Sequence, residues 1–119
     1  MDKARETGLD LNPKYDANGL ICAVVTDAAD GVVLMVGFMD DEALAATRNT
    51  GTVHFHSRSR GKLWQKGESS GHFLHVVEMR IDCDQDAIWI VAKPDGPTCH
   101  TGERSCFYRR VANDGLEQL

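Results

Sequence analysis

Apolar residues in this chain come in short runs separated by turn-forming residues, and their spacing changes from run to run. Residues 20–26 (LICAVVT) are rich in β-branched side chains and predict a strand. Ala28-Ala29-Asp30-Gly31 signals a turn, and residues 32–38 predict the returning strand of a hairpin. Residues 40–49 predict a short helix. Asp40 can cap its free amides, Asp41 and Glu42 suit the positive end of the helix dipole, and Gly51 follows its end. Residues 52–57 set Val53 and Phe55 against His54 and His56 in the alternation of a strand. Residues 57–71 (SRSRGKLWQKGESSG) break the pattern. They are polar, glycine-punctuated and too long for a plain turn, so they predict a functional loop with a short strand at 63–65.

Beyond that loop, Phe73, His75, Val77, Met79 and Ile81 occupy one alternation of a strand reaching Asp82. Residues 87–92 (AIWIVA) read as a buried strand, 94–97 as a turn, 99–105 as a loop and 106–111 as a last strand. Residues 1–18 predict a flexible lead-in, 19–111 one domain and 112–119 a tail. The fold class expected is α+β, mainly β, in one compact domain with one or two short helices.

Composition narrows the function. The chain has 119 residues, which suits one core, and 42% are hydrophobic, too many for a disordered chain. A net charge of −5 argues against a nucleic-acid surface, which needs clustered Lys and Arg. No apolar run is long enough to span a membrane, and the polar first ten residues lack the apolar segment of a secretory signal, so a cytoplasmic location is expected. A reducing compartment then favours thiolate chemistry over disulfides for Cys22, Cys83, Cys99 and Cys106. A domain of this size buries only about two-thirds of its unfolded surface, so a metal or a partner subunit would add stability.

Cys83, Cys99 and Cys106 are spaced C-x15-C-x6-C. Thiolates are soft ligands suited to zinc, and three of them leave a tetrahedral position open for water, as a catalytic zinc requires. No CxxC pair is present, which disfavours a zinc ribbon. The competing reading is a set of buried free thiols acting as small hydrophobes, and that reading suits Cys22 inside its apolar strand. In the run DCDQD, extended backbone would place Asp82, Asp84 and Asp86 on one face and Cys83 on the other. Such carboxylates suit Mg²⁺; the alternative is a solvated acidic loop. Arg58, Arg60, Lys62 and Lys66, with Ser57, Ser59, Ser69 and Ser70, make the long loop a candidate phosphate site, with Trp64 able to stack on a base or simply to pack.

The segments HSRSRGKLWQKGESSG, RIDCDQDAIWIV and GPTCHTGERSCFYR resemble, in order, three motifs of the phosphoribosyl-AMP cyclohydrolases of histidine biosynthesis. The resemblance runs from about Gly19 to Arg109. It implies hydrolytic opening of the adenine ring of phosphoribosyl-AMP at the N1–C6 bond, giving the formimino-AICAR ribonucleotide (ProFAR). It also implies zinc on Cys83, Cys99 and Cys106, one per subunit, and Mg²⁺ on Asp82, Asp84 and Asp86. The fold would be completed as an intertwined homodimer whose zinc site takes ligands from both chains. Substrate contacts are expected from Ser57, Arg58, Ser59, Arg60, Trp64, Lys66 and Ser70.

A proton must reach N1 as the bond breaks; His100, next to a zinc ligand, is the first candidate for acid–base work and Glu68 the second. His54, His56, His72 and His75 read as structural histidines. Some relatives carry a fused pyrophosphatase domain, for which this chain leaves no room, so a monofunctional enzyme is expected. Two alternatives compete. A structural zinc-binding interaction module would fill all four ligand positions. A purine nucleotide deaminase would attack the same carbon, but the H-x-E and P-C-x-x-C signatures of the zinc deaminases are missing.

Overall fold

The N-terminal hairpin forms as the alternation predicts. β1 (Ile21–Asp27) and β2 (Val33–Met39) pair antiparallel, with a bulge between Val25 and Thr26. In a computed structural model describing residues 3–119, Asp27 closes the turn between them. Its amide donates to Val32 O at 2.8 Å and its Oδ1 accepts from Ala29 N at 2.9 Å, while Gly31 adopts the left-handed φ of 78° that the turn requires. β1 also lies parallel to β6 (Ala87–Pro94), and β6 runs antiparallel to β5 (Leu74–Ile81), so the main sheet has the order β2-β1-β6-β5.

A parallel pair needs a long crossover, and the chain between β1 and β6 supplies it. α2 (Asp41–Thr50) starts at Asp40, whose Oδ1 accepts from Ala43 N at 2.8 Å, and stops at Gly51, whose left-handed backbone donates to Thr47 O. β3 (His54–Ser57) and β4 (Lys62–Gln65) then form a second, two-stranded sheet. The residues from Lys62 to Gln65 of the polar loop are thus a full strand pairing with β3, longer than the segment 63–65 expected, and they place Trp64 opposite Phe55.

Alternation gives the main sheet one buried face. Ile21, Ala23, Val25, Met39, Leu74, Ile88, Ile90 and Ala92 join Ala43 and Leu44 of α2 and Val53 and Phe55 beside it in one core. The other face carries Cys22, Val24, Val36, Phe38, Trp89 and Val91 and is much more open; Trp89 is 42% exposed and Val36 39%. Cys22 therefore belongs to the open face, half-buried, and not to the core expected for it: it alternates with the buried Ile21 and Ala23.

Both chain ends, read from the sequence as a flexible lead-in and a tail, carry secondary structure. α1 (Lys3–Thr7) is a short exposed helix, and the segment after it is tied to Gln85: Asn12 N donates to Gln85 Oε1 at 2.8 Å and Lys14 N to Gln85 O at 2.7 Å. At the other end, the expected strand 106–111 starts only at Arg109, because Cys106 N is occupied by Leu34 O. β7 (Arg109–Ala112) continues through Asn113-Asp114 into β8 (Gly115–Gln118), an exposed hairpin whose turn residues the sequence displays plainly. No helix among the described residues is long and apolar enough to cross a membrane.

Candidate metal and nucleotide site

The C-terminal loop that follows β6 folds back on itself around Cys99. Cys99 N donates to Glu103 O at 3.1 Å, Gly102 N to Cys99 O at 3.0 Å and Thr98 N to Arg104 O at 3.2 Å. Cys106 N then donates to Leu34 O at 2.8 Å and Ser105 Oγ to Val33 O at 2.6 Å, which docks the loop on β2. The result brings Cys99 and Cys106 close enough for each thiol to act on the ionisation of the other, with Lys66 nearby. Thr101 Oγ1 donates to Cys99 Sγ at 3.0 Å. That hydroxyl and the Thr101 amide, aided by Cys106 and Lys66, hold the Cys99 thiol below its ordinary pKa. Partial desolvation of Cys106, and the charge of Cys99 beside it, push its thiol the other way.

Cys99 lies on the wall of a cleft of about 280 Å³ between this loop and the turn after β4. Trp64, Lys66, Ser70, His72 and His100 share the wall. Gly67 allows the turn to pass this close: its φ is 95°, and a Cβ there would stand 2.7 Å from the His72 carbonyl. Thr98, 2% exposed and also on the wall, has a buried hydroxyl without a partner.

Trp64 is the partition between this cleft and a larger one of about 550 Å³ that holds Ser57, Arg58, Ser59 and Arg60. The Trp64 ring tilts against Phe55 at 5.6 Å between centroids, with Lys66 Nζ 5.6 Å from its own centroid. Arg58 stacks over Phe38 at 4.2 Å, and Arg60 reaches back to Ser57 Oγ at 3.3 Å through its amide. The expected substrate residues are thus divided between two clefts that share one aromatic wall.

The acidic run forms the turn between β5 and β6. Asp82, Asp84 and Asp86 offer oxygens that all lie within 4.8 Å of one another, a group able to hold a metal. They converge because residues 83–86 turn, not because the backbone is extended as the alternation predicted: Gln85 N donates to Asp82 O at 3.1 Å, and Asp82 N to Ala87 O at 3.0 Å. Desolvation opposes ionisation of Asp82, but hydrogen bonds from Asp86 and from the Ala87 and Asp86 amides outweigh it and keep its pKa low. Hydrogen bonding and charge from Asp84 and Asp82 push Asp86 up to about 6. Among the described residues this is the one set of three Cys, His, Asp or Glu ligands so grouped; Cys83, exposed on the same turn, does not join Cys99 and Cys106 within one chain.

Against known proteins, the sequence profile of phosphoribosyl-AMP cyclohydrolase matches residues 35–108. The chain belongs to the phosphoribosyl-AMP cyclohydrolase family. It is 64% identical to the phosphoribosyl-AMP cyclohydrolase of Rhizorhabdus wittichii over 97% of this chain and 93% of that one. It is 61% identical to that of Brucella anthropi, over 92% and 79%, and 57% identical to that of Brucella canis, over 95% and 83%. The stretch matched by the cyclohydrolase profile contains both clefts, the acidic turn and all three C-terminal cysteines.

Other cyclohydrolase-site candidates take more structural places. Glu68 Oε1 accepts from Gln65 N at 3.0 Å and so caps the turn after β4. Ser70 Oγ accepts from His72 N at 3.2 Å. His54 is buried with Nδ1 2.9 Å from Thr52 O, and His75 pairs with Asp95 at 2.8 Å, both structural as expected. His56 Nδ1 is 3.2 Å from Asp40 Oδ2 without the alignment of a hydrogen bond, and His72 stands at the cleft. Sequence reasoning missed Thr101, Arg104 and Gln85. Thr101 and Arg104 lie inside the motif GPTCHTGERSCFYR and Gln85 inside DCDQD, yet only the fold gives each its partner.

Proposed function

We propose that the chain catalyses hydrolytic opening of the adenine ring of phosphoribosyl-AMP, the third step of histidine biosynthesis. The carrying observation is the cleft in which Cys99, His100, Lys66 and Trp64 meet, inside the segment that matches the family. In the reaction, water oxygen bonds to C6 and becomes the carboxamide oxygen, the C6–N1 bond breaks, and N1 gains a proton.

The metal assignment rests on donor chemistry. Cys99 and Cys106 form a soft pair with one thiol already biased towards thiolate, a fit to zinc; the acidic turn is a hard-oxygen group, a fit to Mg²⁺. Zinc, when bound, brings the pKa of water towards about 7. Cys83 of the partner subunit would complete the zinc set in a homodimer. Two facts support the dimer: Cys83 does not join the other two cysteines in one chain, and the sheet face bearing Val36 and Trp89 is open.

The protein's own residues do the remaining work. Trp64 offers a flat apolar face for the base, and Arg58 and Arg60, with Ser57 and Ser59, line a cleft suited to a phosphate. Lys66 and Ser70 line the adjoining wall. His100, on the cleft wall beside Cys99, would deliver the proton to N1; Glu68, engaged with the β4 turn, is the less suited of the two candidates.

Incubating the protein with phosphoribosyl-AMP and following ring opening, with and without a zinc chelator, tests the proposal. Activity should vanish with chelator and in Cys99→Ser; wild-type turnover by Cys99→Ser refutes the metal assignment. Mixing inactive Cys83→Ser and Cys106→Ser chains should restore partial activity, since heterodimers hold one complete ligand set. No recovery after verified subunit exchange refutes the shared site.

A further inference from the structure

We infer that Arg104 is a positioning residue that sets the Cys99–Cys106 pair in its metal-binding geometry. This rests on the proposal that those cysteines are ligands. Arg104 is the point where the thiol loop is fastened twice. Its carbonyl accepts from Thr98 N at 3.2 Å and so closes the loop around Cys99. Its guanidinium leaves the loop altogether: Nη2 reaches Asp27 Oδ2 at 2.9 Å and both Asp30 oxygens at 2.8 Å. Those two carboxylates belong to the β1–β2 turn, which is rigid on its own account, since Asp27 Oδ1 accepts from Ala29 N at 2.9 Å and Asp30 Oδ1 from Val32 N at 3.1 Å.

The next two residues repeat the attachment on β2, through Ser105 Oγ to Val33 O and Cys106 N to Leu34 O. Cys106 thus ends a three-residue stretch, 104–106, anchored to one hairpin, and Cys99 lies in the loop that leads into it. The Arg104 side chain lines neither cleft, so it acts on the thiols through the backbone. Asp27 is 10% exposed at its side chain while Arg104 is 51% exposed, so the anchor's fixed point is the carboxylate and its movable part the loop. All three contacts converge on Nη2, which a rigid planar guanidinium holds in one direction; a lysine ammonium can supply the charge but not that fixed plane.

The test uses cadmium, a soft probe whose thiolate charge-transfer absorption reports ligation directly, on the full chain. Arg104→Ala should weaken Cd²⁺ binding by about tenfold, the usual scale for removing a group that orients a ligand, with Arg104→Lys in between. In the metal-free chain, alkylation of Cys99 mapped by mass spectrometry should speed up in Arg104→Ala, because the loop that shelters this 9%-exposed residue is released. Asp30→Asn, a milder change in an exposed turn, should shift both readouts the same way by less, and it decides the matter if Arg104→Ala does not fold.

Affinity within about twofold of wild type in these variants overturns the inference. So does weakened binding with unchanged Cys99 alkylation, which would mean that charge and not position carries the effect. A wild-type chain with no charge-transfer band refutes the ligand assignment, and the inference with it, whereas a normal band of equal affinity in the variants refutes the inference alone.

Discussion

Gln85 should reverse the usual order of alanine and glycine. Its φ of 58° lies in the left-handed region, where a residue with a Cβ is strained by about 1–2 kcal/mol. It nevertheless stays there, 4% exposed, because its side chain ties the N-terminal segment to the acidic turn. Oε1 accepts from Asn12 N at 2.8 Å, and Nε2 donates to Arg5 O at 2.8 Å and Asp10 O at 3.2 Å. At roughly 0.5–1.5 kcal/mol net for each bond, and with water able to reach the freed groups, Gln85→Ala should cost about 2–3 kcal/mol. Gln85→Gly loses the same bonds but releases the strain, less about 0.5–1 kcal/mol for the greater freedom of glycine in the unfolded chain. The glycine variant should therefore be more stable than the alanine variant by about 0.5–1 kcal/mol. Urea unfolding of the metal-free chain measures this, at one protein concentration so that any self-association weighs equally on every variant. With a slope of about 1–3 kcal/mol per molar urea, the alanine midpoint should fall by about 1 M or more. A glycine variant equal to or weaker than alanine refutes the strain argument, and an alanine variant indistinguishable from wild type refutes the anchoring role.

Three further outcomes follow from particular contacts. Because Asp86 titrates at about 6, protons compete with a cation in the acidic turn, so Mg²⁺ affinity should rise as pH rises through 6 and fall towards roughly tenfold per unit below it; calorimetric titration at about pH 5 and about pH 7 checks this, and equal affinities at both argue against that site. Gly37→Ala would put a Cβ 2.5 Å from Phe55 Cδ1 in a ring that is 1% exposed and tilted on Trp64. It should cost about 1–3 kcal/mol by overpacking and, with Trp89 replaced by Phe, shift the emission of Trp64; a neutral effect would mean the ring moves freely. Asp40→Ala removes the acceptor for Ala43 N at the start of α2 and should cost about 1 kcal/mol in thermal or urea unfolding.

The strands with one buried face were legible because their alternation is a direct imprint of the sheet: Ile21, Ala23 and Val25 point inward, and the sequence carries that period. The α2 caps were legible for the same local reason, Asp40 and Gly51 standing where a helix needs them. Which strands pair was not local. The parallel β1–β6 pairing joins residues on either side of a long crossover, and nothing in LICAVVT names AIWIVA as its neighbour. Convergence of Asp82, Asp84 and Asp86 was foreseen, but by extended alternation. The fold achieves it by a turn whose key residue, Gln85, accepts a left-handed backbone only because of bonds to residues 5, 10 and 12. Arg104 shows the same limit at the cysteine loop, since its carboxylates lie 74 and 77 positions away in the sequence.

The three cysteines can be placed by the strand between them. Cys83 precedes β6 in the acidic turn, and Cys99 follows its far end. β6 has eight residues, so at about 3.3 Å per residue its first and last are roughly 23 Å apart. Within the one chain described, Cys83 accordingly does not join Cys99 and Cys106. A second chain related by a two-fold axis across β6 would set the start of its strand against the end of the first, and would do so twice, giving two equal sites from one interface. The open sheet face that includes Trp89 of β6 is the surface such an arrangement would cover. A small acidic domain with a modest core would then gain stability and its metal site from the same association, and loss of the interface should remove both together.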